Sequence, residues 1–334
     1  MGSPARSVLF VLVTCSPALA AAQTFDTVGT RAAGMAGAFV AVADDASAAY
    51  WNPGGFAAGN LFTMVVDRSA ARVNPGGPDG AVSRSGLLVS LGMPALGLSY
   101  YRLHSTTLTP SAPGGGGSDE GDVIGLGEVR LATLITHHSG ATLVQSIGRG
   151  VAVGATLKLV RGVAASTVAP DLDRGRLLKN ASELGGKGTS KFDADIGVMA
   201  ALGRVKFGLT VRNLTEPNFA TSNGDDTLSL RRHARAGFAF TLREGWAVAA
   251  DLDLTRELTP SGPVRTFAAG TEGRIGRKAF VRGGLRLNTT DTRGAAVAAG
   301  ASYAVMGPVL IDAHLTTGSE RAQRGWGIAA RLVY

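Results

Sequence analysis

The chain has 334 residues, of which 45% are hydrophobic, 17% are charged and 47 are glycine. That is too apolar for an ordinary soluble surface, yet no 18-residue apolar run follows the first two dozen positions, so a transmembrane helix is excluded as the explanation. The net charge of +8 falls to +7 once Arg6 is removed with a leader, and the basic residues are scattered singly rather than blocked with aromatics, which argues against a nucleic-acid partner.

Residues 1–22 read as a signal peptide: Arg6, an apolar stretch from Val8 to Val13, and Ala18-Leu19-Ala20, with cleavage expected after Ala20 or Ala22. Cys15, the single cysteine, lies inside this leader, so the mature chain is expected to hold no disulfide and no thiolate metal site. Residues 23–59 follow without strand alternation. Asp45 is expected to cap a short helix from Ala46 to Trp51 that Pro53 stops. Met35, Phe39, Val40, Val42, Tyr50 and Trp51 make this segment too apolar to stay solvated, and its glycines and alanines suit close backbone packing in a confined space.

From residue 60 to 334 the pattern changes to alternation, which places successive side chains on opposite faces of a strand. Trp326, Ile328, Ala330, Leu332 and Tyr334 share one face, with Gly327, Ala329, Arg331 and Val333 on the other. The same pattern sets Leu157 and Leu159 against Lys158, Phe192 and Ile196 against Asp193 and Asp195, Val248 and Leu252 against Asp251 and Asp253, and Ile311 and Leu315 against Asp312 and His314. So many consecutive hairpins with small apolar faces exceed a sandwich of usual size and fit an all-β, up-and-down antiparallel transmembrane barrel.

Loop lengths set the strand count. Short turns at Met93 to Leu96, Gly148 to Gly150, Gly203-Arg204, Arg243 to Gly245, Gly276 to Lys278 and Met306 to Pro308 read as periplasmic. Long connections at Asn74 to Arg84, Thr107 to Arg130, Ala165 to Ser190, Thr215 to Thr227 and Leu258 to Pro263, with shorter ones near Asp291 and Glu320, read as extracellular. Counting Thr136 to Gly140 as a turn gives fifteen strands and puts the termini on opposite sides. Treating Leu131 to Ile147 as one bulged strand gives about fourteen, with both termini in the periplasm and every long loop outside. A barrel of that size has room for a ligand or a plug.

Inward charges are the candidate lumen residues: Lys158, Arg212, Arg231, Arg235, Asp251, Asp253, Arg282 and Arg286. Any of the cations suits a carboxylate headgroup, and each also suits a structural pairing with Asp193, Asp195, Asp251, Asp253 or Asp312. Trp326 and Tyr334 form an aromatic end that resembles the C-terminal signal read by the barrel assembly machinery.

Gly29-Thr30-Arg31-Ala32-Ala33-Gly34-Met35-Ala36-Gly37-Ala38, Ala43-Asp44-Asp45-Ala46 and Trp51-Asn52-Pro53-Gly54 together resemble the N-terminus of the FadL/TodX fatty-acid and hydrocarbon transporters and of their relative PorV, except that Gly54 replaces the usual Ala. Gly208 to Pro217 is similar to a strand-to-loop element of PorV-like members. The resemblance implies a fourteen-stranded outer-membrane barrel whose residues 23–59 form a hatch inside the lumen, with Arg31, Gly34, Gly37, Asp44, Asp45, Trp51, Asn52, Pro53 and Gly54 as its marked positions.

Two functions follow from that resemblance. One is passive uptake of a hydrophobic small molecule or lipid, such as a long-chain fatty acid or hydrocarbon. The alternative is a PorV-like barrel that docks secreted proteins or a secretion-system partner. Outer-membrane lipids are the expected surroundings in either case. An apolar pocket reaching the hatch favours uptake, and an exposed apolar loop patch above a sealed lumen favours docking. An enzyme is not expected: His137 and His138 are adjacent and face opposite ways, no nucleophile elbow is present, and Gly114 to Gly117 lacks the Lys-Ser/Thr of a phosphate loop. No cofactor and no metal are expected.

Overall fold

The computed structural model describes residues 28–73, 80–110, 128–170, 174–222, 226–259, 262–290, 294–318 and 324–334. The signal-peptide reading, the Gly114 to Gly117 stretch and the centres of several long loops lie outside the described residues. Among those described, fourteen strands form one closed antiparallel barrel. They are β1 (Thr63–Val73), β2 (Ala81–Met93), β3 (Leu96–Pro110), β4 (Glu128–Gly148), β5 (Val151–Pro170), β6 (Gly188–Leu202), β7 (Val205–Arg212), β8 (His233–Arg243), β9 (Trp246–Asp253), β10 (Thr266–Ile275), β11 (Ala279–Asn288), β12 (Ala295–Met306), β13 (Val309–Gly318) and β14 (Arg324–Val333). The ring closes through β1 and β14, from Thr63 opposite Val333 to Arg72 opposite Arg324. Phe62 and Tyr334 exchange both backbone hydrogen bonds beside that seam, which holds the last residue at the end of the barrel that carries the short turns.

The six short turns fall where the sequence places them, and Gly150, Gly203, Gly245, Gly276 and Gly307 sit in five of them with positive φ, the conformation that glycine enters without a Cβ penalty. β4 is one strand, as loop parity requires. It carries a bulge, as expected for Leu131 to Ile147, at the end of that span: Thr136 to Gly140 pairs regularly on both sides, and the register shift is at Ser146/Gly148, beside the turn. A bulge there twists the hairpin end without disturbing the wall above it.

Faces follow the alternation. Trp326, Ile328, Phe192, Leu157 and Leu315 are exposed on the outside, with Phe192 82% accessible, while Lys158, Asp193, Asp195, Asp251, Asp253, Asp312 and Arg331 are buried inside. An exterior of leucine, isoleucine, valine and aromatics around a charged interior is the inverse of a soluble protein and the requirement for a barrel solvated by lipid. The chain is an integral outer-membrane-type β-barrel.

The wall is uneven. β3, β4 and β5 extend well beyond β7 and β9 at the long-loop end. The helix Arg174–Ser182 packs Leu178 and Ala181 against Ala81, Leu108, Val129 and Leu131, which are outward positions of the tall wall. The short ribbon Asn218–Ala220 with Thr227–Ser229 packs Phe219, Leu228 and Leu230 against Ala132, Leu134, Val160 and Ala164, which are inward positions of the same wall. A single extended sheet is thus covered on both faces above the membrane.

Candidate functional site

Residues 28–59 fold inside the barrel as three short helical pieces, Thr30–Gly34, Ala48–Trp51 and the 3-10 turn Pro53–Ala58. They account for most of the main buried core, including Met35, Phe39, Val40, Tyr50 and Trp51. The expected helix from Ala46 to Trp51 is shorter and is not capped as expected. Ser47 is its N-cap without a side-chain bond, and Asp45 instead accepts from the Ser47 backbone N–H at 2.9 Å and from its hydroxyl at 2.5 Å. Pro53 does more than stop a helix, because its fixed φ opens the following 3-10 turn.

Arg31 is the centre of the polar contacts. Its guanidinium donates to Asp44 at 2.6 Å and Asp45 at 3.0 Å, and grips Glu272 of β10 bidentately at 2.7 and 2.9 Å. From Glu272 the contacts run on through Arg282 of β11 to Asp312 of β13 at 3.4 Å, through Arg331 of β14 at 3.1 Å, and back to Asp45 at 3.4 Å. Ser302 also donates to Asp312. Three arginines and three carboxylates therefore alternate in a closed ring that ties the N-terminal segment to four strands. Burial opposes both charges on the N-terminal segment, yet the acids beside Arg31 hold its guanidinium protonated well above the ordinary value, and Arg31 and Arg331 hold the Asp45 carboxyl below its ordinary value.

A second set of bonds reaches the rest of the wall. Asp251 accepts from the backbone N–H groups of Phe39 and Val40 at 2.8 Å, and Asp67 accepts from that of Thr30. Asn52 donates through Nδ2 to Val40 O and Val198 O at 2.9 Å, and Trp51 donates to Val28 O at 2.7 Å. The Arg212 guanidinium lies 3.5 Å from the Tyr50 ring centre, and Arg235 pairs with Asp253 while reaching Gly37 O. Lys158 bridges Asp195 at 2.7 Å and Asp193 at 3.0 Å. Those two carboxylates also accept the backbone N–H groups of Asn213 and Thr215, which steers the chain out of β7 through the positive φ of Asn213.

Inward glycines set the fit. A Cβ on Gly154 or Gly197 would lie 2.3 Å and 2.2 Å from Pro53 and Asn52, one on Gly208 2.4 Å from Val40, one on Gly284 2.4 Å from Met35, and one on Gly92 2.2 Å from the Phe56 ring. These positions on β2, β5, β6, β7 and β11 let the segment's backbone press against the wall. Gly54 is explained in the same way: a Cβ there would meet Gly197 O at 2.9 Å and Ala152 O at 3.0 Å, so an alanine at that position would crowd two carbonyls of this barrel's wall.

The marked residues are thus gathered by the fold. Arg31, Asp44 and Asp45 meet in the charge ring, Gly34 packs against Gly300 of β12, Gly37 has a positive φ, Trp51 bonds within the segment to Val28, and Asn52, Pro53 and Gly54 seat the segment on β5 and β6. Lys158, Arg212, Arg235, Asp251, Asp253 and Arg282 all face the lumen. Arg231 is a correction: it is exposed in the connection ahead of β8, because the strand begins only at His233. Glu272, Asp67 and Arg331 were not singled out as site residues. Arg331 alternates visibly with apolar neighbours, whereas Glu272 sits in the glycine-rich, half-buried Thr266–Ile275, where alternation carries little signal. His137 and His138 do face opposite ways, with His137 bonded to the Tyr100 hydroxyl outside and His138 stacked on Tyr101 inside.

Above the segment, toward the long loops, the lumen is open. A cavity of ≈ 90 Å³ has Val28, Ala33 and Ala36 as its floor and Ala70, Ala71, Leu103, Ala296 and Gly325 in its wall, with Arg84, Arg286, Arg324 and His314 as its cationic or polar members. Arg286, the last of the sequence candidates, stands here rather than in the charge ring.

Among solved structures the CymD monoaromatic hydrocarbon channel aligns over 92% of this chain and 97% of its own, with a TM-score of 0.64 and 12% identity. The toluene transporter TodX of Pseudomonas putida aligns over 90% and 98%, at TM-score 0.56 and 11% identity, and a FadL homologue of Pseudomonas aeruginosa over 92% and 98%, at 0.56 and 13%. The fold is that of the FadL and TodX channels. Residues 135–253 match the family described as F plasmid transfer operon, TraF, protein. No curated protein matches the sequence.

Proposed function

We propose that this barrel is an outer-membrane channel for passive uptake of hydrophobic compounds, with residues 28–59 acting as a hatch below the capture site. The observation that carries this reading is the upper-lumen cavity, whose apolar floor belongs to the N-terminal segment itself, so that a solute bound there touches the element that has to move for it to pass. Small side chains give an apolar solute van der Waals contact without a polar penalty, and Arg84, Arg286 and Arg324 suit an anionic head at its edge. Long-chain fatty acids and hydrocarbons are therefore the substrate classes proposed. The shared fold with channels named for monoaromatic hydrocarbons and toluene supports the same reading.

Docking of a secreted protein finds less support. Leu178, Phe219, Leu228 and Leu230 of the long loops are turned onto the strands rather than offered as a patch. The test is to fill the cavity: Ala296→Trp in reconstituted vesicles is expected to lower uptake of a labelled fatty acid or of toluene at least about fivefold, since overpacking excludes the solute. Unchanged uptake of both would overturn the capture site.

A further inference from the structure

Inside the barrel, Lys158, Arg212, Arg235, Arg282 and Arg331 each face a carboxylate within 4 Å. The outside departs from this rule, at the rim where Arg72 of β1 stands opposite Arg324 of β14 and along a second row lower on the wall. Strand register sets Arg68 of β1, Leu87 of β2, Arg102 of β3, His137 of β4, Arg161 of β5 and Ser190 of β6 side by side, and the row contains no carboxylate. Residues directly opposite on antiparallel strands have Cβ atoms about 5 Å apart. Two guanidinium groups therefore flank one imidazole, two strand spacings apart and with no carboxylate between them.

All three face out of the barrel. Arg102 is exposed between buried Tyr101 and Leu103, Arg161 is exposed between buried Val160 and a buried Gly162, and His137 is held by the outward Tyr100 hydroxyl at 2.8 Å. Below the row the wall is apolar, with Leu98, Leu157, Leu159, Phe192 and Ile196 exposed. From Val151 to Arg161 a strand tilted by about 40° climbs roughly 25 Å, which is the height of the apolar band of such barrels. Above the row, the helix Arg174–Ser182 lies on the outer side of the same wall and presents exposed Arg176 and Lys179. His137, Ser139, Leu159, Arg161, Val163 and Ser190 line a groove at this level.

We infer that this row is a binding site for a phosphorylated, acylated lipid of the outer leaflet, whose phosphate sits between Arg102 and Arg161 while its acyl chains lie along Leu98, Leu157, Leu159 and Phe192. The chemistry selects that occupant. A bare anion satisfies the guanidinium groups but not the exposed apolar side chains beneath them, and a neutral lipid does the reverse. An amphiphile with a phosphate head matches both at the height where bilayer and water meet. The inference is independent of what the lumen transports.

The test uses the full-length barrel in mixed micelles, with native mass spectrometry to measure retained lipid. The probes are diphosphorylated lipid A and the same lipid stripped of phosphate. The phosphorylated form is expected to be retained about tenfold better, and R102Q/R161Q to abolish that preference, while R102K/R161K keeps most of it. R204Q/R277Q, at the opposite rim, is expected to leave it intact. Equal retention of the two lipids, unchanged retention by R102Q/R161Q, or displacement of the lipid by millimolar inorganic phosphate would overturn the proposal.

Discussion

The lower and upper halves of the lumen are built on opposite rules. Below, glycines on five strands let the N-terminal segment press backbone to backbone against the wall, and every marked charge in the ring has an opposite partner. Above, small side chains leave ≈ 90 Å³ of space, and arginines gather at its margin. The difference teaches that polarity inside this barrel serves two purposes. Where it closes a ring around the N-terminal segment it locks that element in place, and where it borders open volume it lines the space proposed for a solute. A buried ion pair contributes little net stability against a hydrophobic alternative, but breaking one leaves an uncompensated charge.

Arg31→Ala is expected to break the contrast most severely. It removes the cation shared by Asp44, Asp45 and Glu272 and leaves only Arg331 and Arg282 beside three acids, at a cost of about 3 kcal/mol to the seating of the segment, read as a large drop in the thermal unfolding midpoint in detergent and a rise in ion leak through reconstituted barrels. Gly284→Val comes next, because its side chain would drive into the Met35 backbone, and overpacking of this kind costs about 1–3 kcal/mol. Leak again reports whether the segment or the barrel gives way. Gly54→Ala, a single methyl against two carbonyls, is expected to cost about 1 kcal/mol and to leave conductance near the parent value.

The smallest effect is that of pH. Asp45 is held below its ordinary value by Arg31 and Arg331, so its contribution to holding the segment is complete above the unfolded carboxylate value of about 3.9 and is lost as pH falls through the folded one. The Asp45-dependent part of the leak, read as the difference between the parent barrel and Asp45→Asn, is therefore expected to stay flat from pH 7 down to about pH 4 and to rise only below that. In Arg331→Gln the rise should begin at higher pH. A leak that increased toward alkaline pH would contradict the assignment.

Much of the wall was legible from sequence because lipid outside and water or protein inside impose alternation on every strand, as at Trp326 to Tyr334 and Leu157 to Leu159. Strand extension beyond the membrane was not, since loop-like residues such as Thr107 and Ala165 lie in strands that simply continue outside. Thr136 to Gly140 imitates a turn for a related reason: it is polar because it includes wall positions on both faces, not because the chain turns there. Of the candidate site, the lumen cations and their wall partners Asp193, Asp195, Asp253 and Asp312 were readable, and the pairings made by the N-terminal segment were not. Pairing between Arg31 and Glu272, 241 positions apart, depends on where a non-strand segment comes to rest, and periodicity says nothing about that. The inward glycines carry meaning only once the segment they accommodate is in place, as Gly154 and Gly197 do beneath Pro53.

The most direct test of the central claim measures two fluxes through the same reconstituted barrel: a labelled hydrophobic solute, fatty acid or toluene, and small ions under a voltage. A barrel that captures above a seated hatch is expected to speed the solute several-fold over protein-free vesicles while ionic conductance stays at background, and deletion of residues 23–59 is expected to raise the conductance. No acceleration of either solute, or an ionic conductance already as high in the intact barrel as in the deleted one, would contradict it.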